Sequence, residues 1–193
     1  RVKNSIPILE RLYFLKKFPI ETRLYPQREK HFIFSIPTLE ISYEIPIALK
    51  KTGFLKILER FLPPKKEISL DFFEDFSRRI KEGKEIRVGI AGKYTRYKDA
   101  YESLIDSIYH ACSYLKLKPK ILFKDTNLYE DSGEIERDFD CLIVPGGVGR
   151  KGTEGMIRFI EFCRKNKIPI VGICFGMQFM VVEFARNVCG MRG

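Results

Sequence analysis

The chain has 193 residues, 45% of them hydrophobic and 31% charged, with a formal net charge of +10. This is a globular composition with material for one ordinary core or parts of two domains. No apolar run is long enough to span a bilayer, and no signal-peptide pattern opens the sequence. Five cysteines, odd in number and irregularly spaced, argue against a disulfide framework and suit a reducing, cytoplasmic setting. Two histidines, with no CxxC or HxxxH spacing, argue against a structural zinc site. The basic residues are spread along the chain in short doublets such as Lys16-Lys17, Lys65-Lys66 and Arg78-Arg79. They read as a solvated surface rather than as a nucleic-acid footprint.

Pro7, Pro19, Pro26, Pro37 and Pro46 break any long element in residues 1–46. A short helix is expected over residues 9–17 and a strand over 32–36, with an exposed polar loop over 21–30. This part has no self-sufficient core and reads as the end of something larger. Helical spacing over residues 47–61 is interrupted at Thr52-Gly53 and stopped by Pro63-Pro64. Another helix over 69–80 is capped by Ser69, with acidic residues in its first turn. Residues 81–84 are a charged linker and the candidate domain boundary.

From residue 85 short apolar strands alternate with amphipathic helices. A buried strand over 86–91 ends at Gly92. Asp99 is expected to cap the next helix, with Glu102 three residues on as in a capping box. The apolar face of that helix is Tyr101, Leu104, Ile105, Ile108, Cys112 and Leu115. A strand over 121–123 is followed by a polar, weakly patterned stretch over 127–138. A strand over 141–144 runs into Pro145-Gly146-Gly147-Val148-Gly149, and a helix over 153–165 follows. A buried central strand over 168–173 and a helix over 177–188, stopped by Gly190, complete the pattern. Cys112, Cys141 and Cys163 fall on apolar faces and read as core. The alternation argues an α/β fold with a doubly wound, mostly parallel sheet. Such sheets bind ligands beyond the carboxyl ends of their strands, where Gly92-Lys93, Gly146-Gly147 and Cys174 fall.

Cys174 is the candidate nucleophile. Gly172 and Gly176 flank it two residues away on each side, at a strand-to-helix junction. That is the spacing of a nucleophile elbow, a tight turn with no room for side chains at the flanking positions. The start of the following helix favours negative charge at that point. A cysteine nucleophile needs an oxyanion hole and a general base. The Phe175 N–H supplies one oxyanion donor, and Gly147 can supply a second. His110, on the helix after the first strand, is expected at the surface and is not cast as the base. No histidine follows Cys174.

The stretches VPGGVGRKGTEGM, KIPIVGICFGMQ, EFARNV and IAGKYTRYKDAYES resemble the glutaminase domain of the CTP synthase family. GICFGMQ alone is common to the wider class I glutamine amidotransferases; GKYTRYKDAY and GRKGTEG narrow the resemblance. Upstream, SIPTLEISYEIPIAL and, more weakly, ERLYFLKKFP are similar to the end of the family's synthetase domain. The implied division is residues 1–50 as the tail of that domain, 51–84 as a helical linker and 85–193 as the first part of the amidotransferase domain. The family aminates UTP to CTP with ATP and Mg2+, using ammonia released from L-glutamine, and is activated by GTP. It assembles as a homotetramer in the cytoplasm, with no permanently bound cofactor.

The resemblance implies that Cys174 forms the glutamyl thioester. It implies that Gly147 and Phe175 line the oxyanion hole and glutamine site, and that Gly176, Met177 and Gln178 complete the glutamine-site segment. Thr38 and Leu39 match positions near the adenine of ATP, and Arg11 a position at the pyrimidine nucleotide. Lys93, Arg150, Lys151 and Glu154 lie in loops the family turns toward GTP. The sequence departs from the family at Thr38 (Asp there), Arg11 (Lys) and Val148 (Phe). The family's catalytic His and Glu match positions past Gly193, and its phosphate loop positions before Arg1. The chain is therefore expected to be a piece of such an enzyme, inactive by itself. The alternative is a truncated or degenerate relative with a binding or assembly role.

Overall fold

The computed structural model describes residues 36–66, 69–95, 98–131, 133–147 and 149–191. The helix expected over 9–17, all but the last residue of the strand expected over 32–36, and Arg11 lie outside these residues. The chain divides into two compact units after Arg78.

In the first unit a 3-10 turn at Ser42–Glu44 leads into helix α1, Ile45–Lys51, with a proline in its first turn, where the missing N–H costs nothing. The expected interruption is present. Thr52 Oγ1 donates to the Leu49 carbonyl at 2.8 Å, and Gly53 sits at a φ of 81° before helix α2, Phe54–Phe61. Ser69 Oγ accepts the Asp71 N–H at 3.1 Å, which supports the expected cap at the start of helix α3, Asp71–Glu82, whose last four residues fall past the division. The Tyr43 ring stacks on Phe76 with centroids 4.3 Å apart, and Ile41, Leu70 and Phe76 are buried. Thr38 is exposed and Leu39 half-buried, in an irregular segment ahead of α1.

The second unit is built on four parallel strands, β1 Lys84–Gly92, β2 Leu117–Asp125, β3 Cys141–Val144 and β4 Ile170–Gly172. Their order is β2-β1-β3-β4, with Val88 opposite Ile121 and Cys141, and Ile143 opposite Val171. Helices α4, Glu102–Leu115, α5, Thr153–Lys165, and α6, Phe175–Asn187, follow β1, β3 and β4, while β2 leads to β3 through a 3-10 turn at Thr126–Tyr129. The expected α/β class and parallel sheet are therefore found. The strand order reverses between β1 and β3, and at such a point the loops leaving neighbouring strands diverge and open a crevice. The core joins Ala91, Leu142 and Val144 of the sheet to Met156, Phe159, Ile160 and Cys163 of α5, closed by Phe139 and Ile168.

Four local expectations are corrected. Strand β2 is longer than residues 121–123; it takes in Pro119, which among the described residues lies on an edge strand, where a missing N–H is tolerated. Asp99 does not open α4. A 3-10 turn over Lys98–Tyr101 moves the cap position to Tyr101, whose side chain makes no capping bond. Leu115, in the last turn of α4, is 61% exposed. Strand β4 is short and lies at the sheet edge among the described residues, with Val171 57% and Ile173 41% exposed. An apolar run shows that a strand can be buried; a covering layer is what buries it. Among the described residues no helix is long and apolar enough to cross a membrane.

Candidate active site

Strand β4 delivers the chain to Cys174, and α6 begins at the next residue. The turn is tight. Cys174 has φ 52° and ψ −109°, a conformation costing a non-glycine residue on the order of 1–3 kcal/mol, of a kind that collects at functional sites. Three backbone bonds lock it. Ile173 N–H donates to the Val144 carbonyl at 2.9 Å, Gly176 N–H to the Ile173 carbonyl at 2.9 Å, and Gln178 N–H to the Cys174 carbonyl at 3.2 Å. A Cβ at Gly176 would lie 2.0 Å from the Val144 carbonyl oxygen, and one at Gly172 would lie 2.7 Å from the Met177 nitrogen. Both glycines are thus required by close approach of backbone. Cys174 itself is exposed.

The turn after β3 closes the other side. A Cβ at Gly146 would come 3.4 Å from Cys174 Cβ and 3.9 Å from its Sγ, so Gly146 lies against the thiol, with Gly147 next along the chain. Tyr94 borders the open side of Gly147, its ring 3.6 Å from where a Cβ would stand. Phe175 is the first residue of α6, so its N–H has no carbonyl within the helix to bond. Its ring packs edge-on to Phe179 at 4.6 Å. Gly176 is buried, while Met177 and Gln178 are exposed on the first turn of α6. The structure thus brings together Cys174, Gly147, Phe175 and Gly176, with Met177 and Gln178 beside them. Thr38 and Leu39 belong to the first unit. His110 is exposed on α4, as expected.

Helix α6 is anchored from behind. Glu183 is 1% exposed and takes three contacts from the Arg164 guanidinium of α5, at 2.7, 3.0 and 3.1 Å, and one from Asn187 Nδ2 at 3.1 Å. Hydrogen bonding to Arg164 holds the Glu183 carboxyl below its ordinary range, against the opposing effect of burial. Arg186 pairs with Glu154 across the same two helices at 3.0 Å, in solvent. Reading the sequence does not find the Arg164–Glu183 pair, because its partners are 19 residues apart and no sequence pattern links them. Nor does it find Tyr94 beside Gly147. Among the described residues there is no group of three or more His, Cys, Asp and Glu that could hold a metal ion.

Cys174 is thus an exposed cysteine on a strained strand-to-helix turn, with Gly146 beside its thiol. Residues 97–193 match the family of class-I glutamine amidotransferases, and the chain belongs to that family. The relatives it resembles are CTP synthases. It is 37% identical over 182 residues to the CTP synthase of Sulfolobus acidocaldarius, covering 92% of this chain and 34% of that protein. It is 38% identical over 165 residues to the CTP synthase of Thermus thermophilus, covering 83% and 30%. The chain thus spans only about a third of these relatives' lengths. A solved structure, the Trypanosoma brucei CTPS glutaminase domain with bound acivicin, is 32% identical with a TM-score of 0.49, covering 54% of this chain and 42% of that one.

Proposed function

We propose that this chain carries the glutaminase nucleophile of a CTP synthase and the end of its synthetase domain. The Cys174 sulfur, as thiolate, attacks the carboxamide carbon of L-glutamine, and the carbonyl electron pair moves to oxygen. Phe175 and Gly147 N–H groups receive that oxyanion, with Gly176, Met177 and Gln178 lining the glutamine segment. When the carbonyl reforms, the C–N bond breaks; the nitrogen takes up a proton and leaves as ammonia. Water then hydrolyses the thioester to glutamate. In the whole protein the ammonia aminates UTP to CTP at the expense of ATP. By the family resemblance Thr38 and Leu39 serve the adenine of ATP and Arg11 the pyrimidine nucleotide, and GTP activates. ATP brings Mg2+, for which the described residues offer no ligand cluster. A cytoplasmic homo-oligomer, tetrameric as in the family, is the setting.

The observation that supports this most is Cys174 at a φ of 52° between β4 and α6, with Gly146 backbone against its thiol. Residue substitutions at Val148, Thr38 and Arg11 favour a second reading, a degenerate relative with an assembly role. One experiment separates the two. In the complete polypeptide, Cys174→Ala is expected to abolish CTP formation from glutamine and to leave formation from ammonium salt intact. Its effect on stability should be small, roughly 1 kcal/mol, since it deletes one exposed atom. Retained glutamine-dependent synthesis in the variant, or no synthesis by the unmodified protein from either nitrogen source, overturns the glutaminase reading.

A further inference from the structure

Two backbone N–H groups stabilise an oxyanion only when they converge on one point. Here they belong to separate segments, Gly147 to the turn after β3 and Phe175 to the start of α6. One side chain reaches both. Lys93, just past the end of β1, donates from Nζ to the carbonyl of Gly149, two residues beyond Gly147. The same ammonium lies 5.6 Å from the centroid of the Phe175 ring, within cation–π range.

The base of this side chain is itself fixed. Asn127 Nδ2 donates to the Lys93 carbonyl at 3.1 Å. Asn127 is held to Asp125 Oδ1 through its side chain at 2.6 Å and its backbone N–H at 3.1 Å. The next residue, Tyr94, donates its N–H at 3.1 Å to the hydroxyl of buried Tyr101. Lys93 therefore leaves a rigid platform built on the ends of β1 and β2. Burial pushes its ammonium below the ordinary lysine range, opposed by the charge of Glu130. A lysine on the surface for solubility alone keeps its full hydration; this one gives part of it up to reach a carbonyl and a ring.

We infer that Lys93 is a positioning residue for the oxyanion hole, tying the turn that carries Gly147 to the first residue of α6. With the tie in place, the two N–H donors stay aimed at the oxygen of an acyl group bound to Cys174. Lys93 touches no reacting atom in this arrangement. The inference rests on the glutaminase reading of Cys174 given above.

The test compares two reactions of Cys174 in the complete polypeptide, only one of which passes through an oxyanion. In the first, a γ-glutamyl p-nitrophenyl ester acylates the thiolate. Sulfur bonds to the carbonyl carbon, the C–O bond breaks and nitrophenolate leaves as a coloured anion. In the second, iodoacetamide alkylates sulfur by displacing iodide, with no carbonyl addition at the attacked carbon. A donor misplaced by ~1 Å costs on the order of 100-fold, so Lys93→Met is expected to slow acylation roughly 10- to 100-fold. Alkylation of Cys174, followed by peptide mass, should change by less than about twofold, because it uses neither donor. Lys93→Arg, which keeps a cation and a donor, should recover most of the acylation rate. If Lys93→Met loses its cooperative melt, Lys93→Gln is measured in its place.

Equal, Cys174-dependent acylation by the unmodified complete polypeptide and its Lys93→Met variant overturns the positioning role and leaves the glutaminase reading standing. A parallel fall in both reactions also overturns it, as the mark of a merely structural residue. Acylation of the unmodified complete polypeptide no faster than that of its Cys174→Ala variant removes the glutaminase reading, and the role of Lys93 with it.

Discussion

Arg164→Ala should be the most destabilising single change on the back of the elbow helix. The carboxylate of Glu183 is 1% exposed and receives three of its four contacts from the Arg164 guanidinium. Deleting that partner leaves a buried charge with Asn187 alone, and breaking such a pair costs about 3–5 kcal/mol. Arg164 is itself 33% exposed, so water can enter the vacated space, and about 3 kcal/mol is expected. Glu183 is held below its ordinary value of 4.5 by Arg164. Its contribution is therefore complete above pH 4.5 and fades as pH falls through the lower value in the folded protein. The gap between unmodified protein and variant should narrow on acidification. Urea unfolding followed by far-ultraviolet circular dichroism at pH 7 and pH 4 measures both points. Arg164→Met combined with Glu183→Leu, which removes both charges, should recover most of the loss. A loss below about 1 kcal/mol at pH 7, of the size expected from an exposed pair, refutes the argument.

Gly176→Ala places a methyl 2.0 Å from the Val144 carbonyl oxygen and should cost about 1–3 kcal/mol or more, read as a lowered urea midpoint together with slower alkylation of Cys174. Cys174 and Cys189 are exposed, while Cys112 and Cys163 are buried, and burial pushes the Cys163 thiol up to about 12. Timed alkylation with mass spectrometry should label Cys174 and Cys189 first, and Cys112 and Cys163 only after denaturation. Asp140 is drawn down to about 2 by its hydrogen bonds to Arg87, which link β1 to the start of β3. The stabilisation from this pair is present above the ordinary value of 3.8 and lost as pH falls through about 2. An Asp140→Asn variant should therefore differ from the unmodified protein at pH 5 and converge with it near pH 2 in thermal melts.

What was legible in the sequence is what short-range chemistry dictates. Gly172, Cys174 and Gly176 announce their turn because backbone must pass where a Cβ would stand. Gly53 and Ser69 mark their helix ends through a positive φ and a hydroxyl acceptor. The tie from Lys93 to Gly149 and Phe175 spans more than fifty residues and leaves no local pattern. Strand β2 hid its length because Lys118, Pro119 and Lys120 look unlike a strand, yet an edge tolerates them. Val171 and Ile173 are apolar and suggest a buried strand β4, yet burial depends on what packs above them, which composition does not encode.

The central claim is that the Cys174 sulfur, and no other atom, takes the glutamyl group from glutamine. The most direct measurement is on the complete polypeptide, mixed with glutamine, quenched in acid while turning over, digested and analysed by mass spectrometry. The account predicts the mass of one glutamyl group on the peptide that contains Cys174. That adduct should disappear on treatment with hydroxylamine, as a thioester does, and should be absent from Cys174→Ala. Release of ammonia from glutamine with the glutamyl group on another residue, or undiminished release by Cys174→Ala, would contradict it.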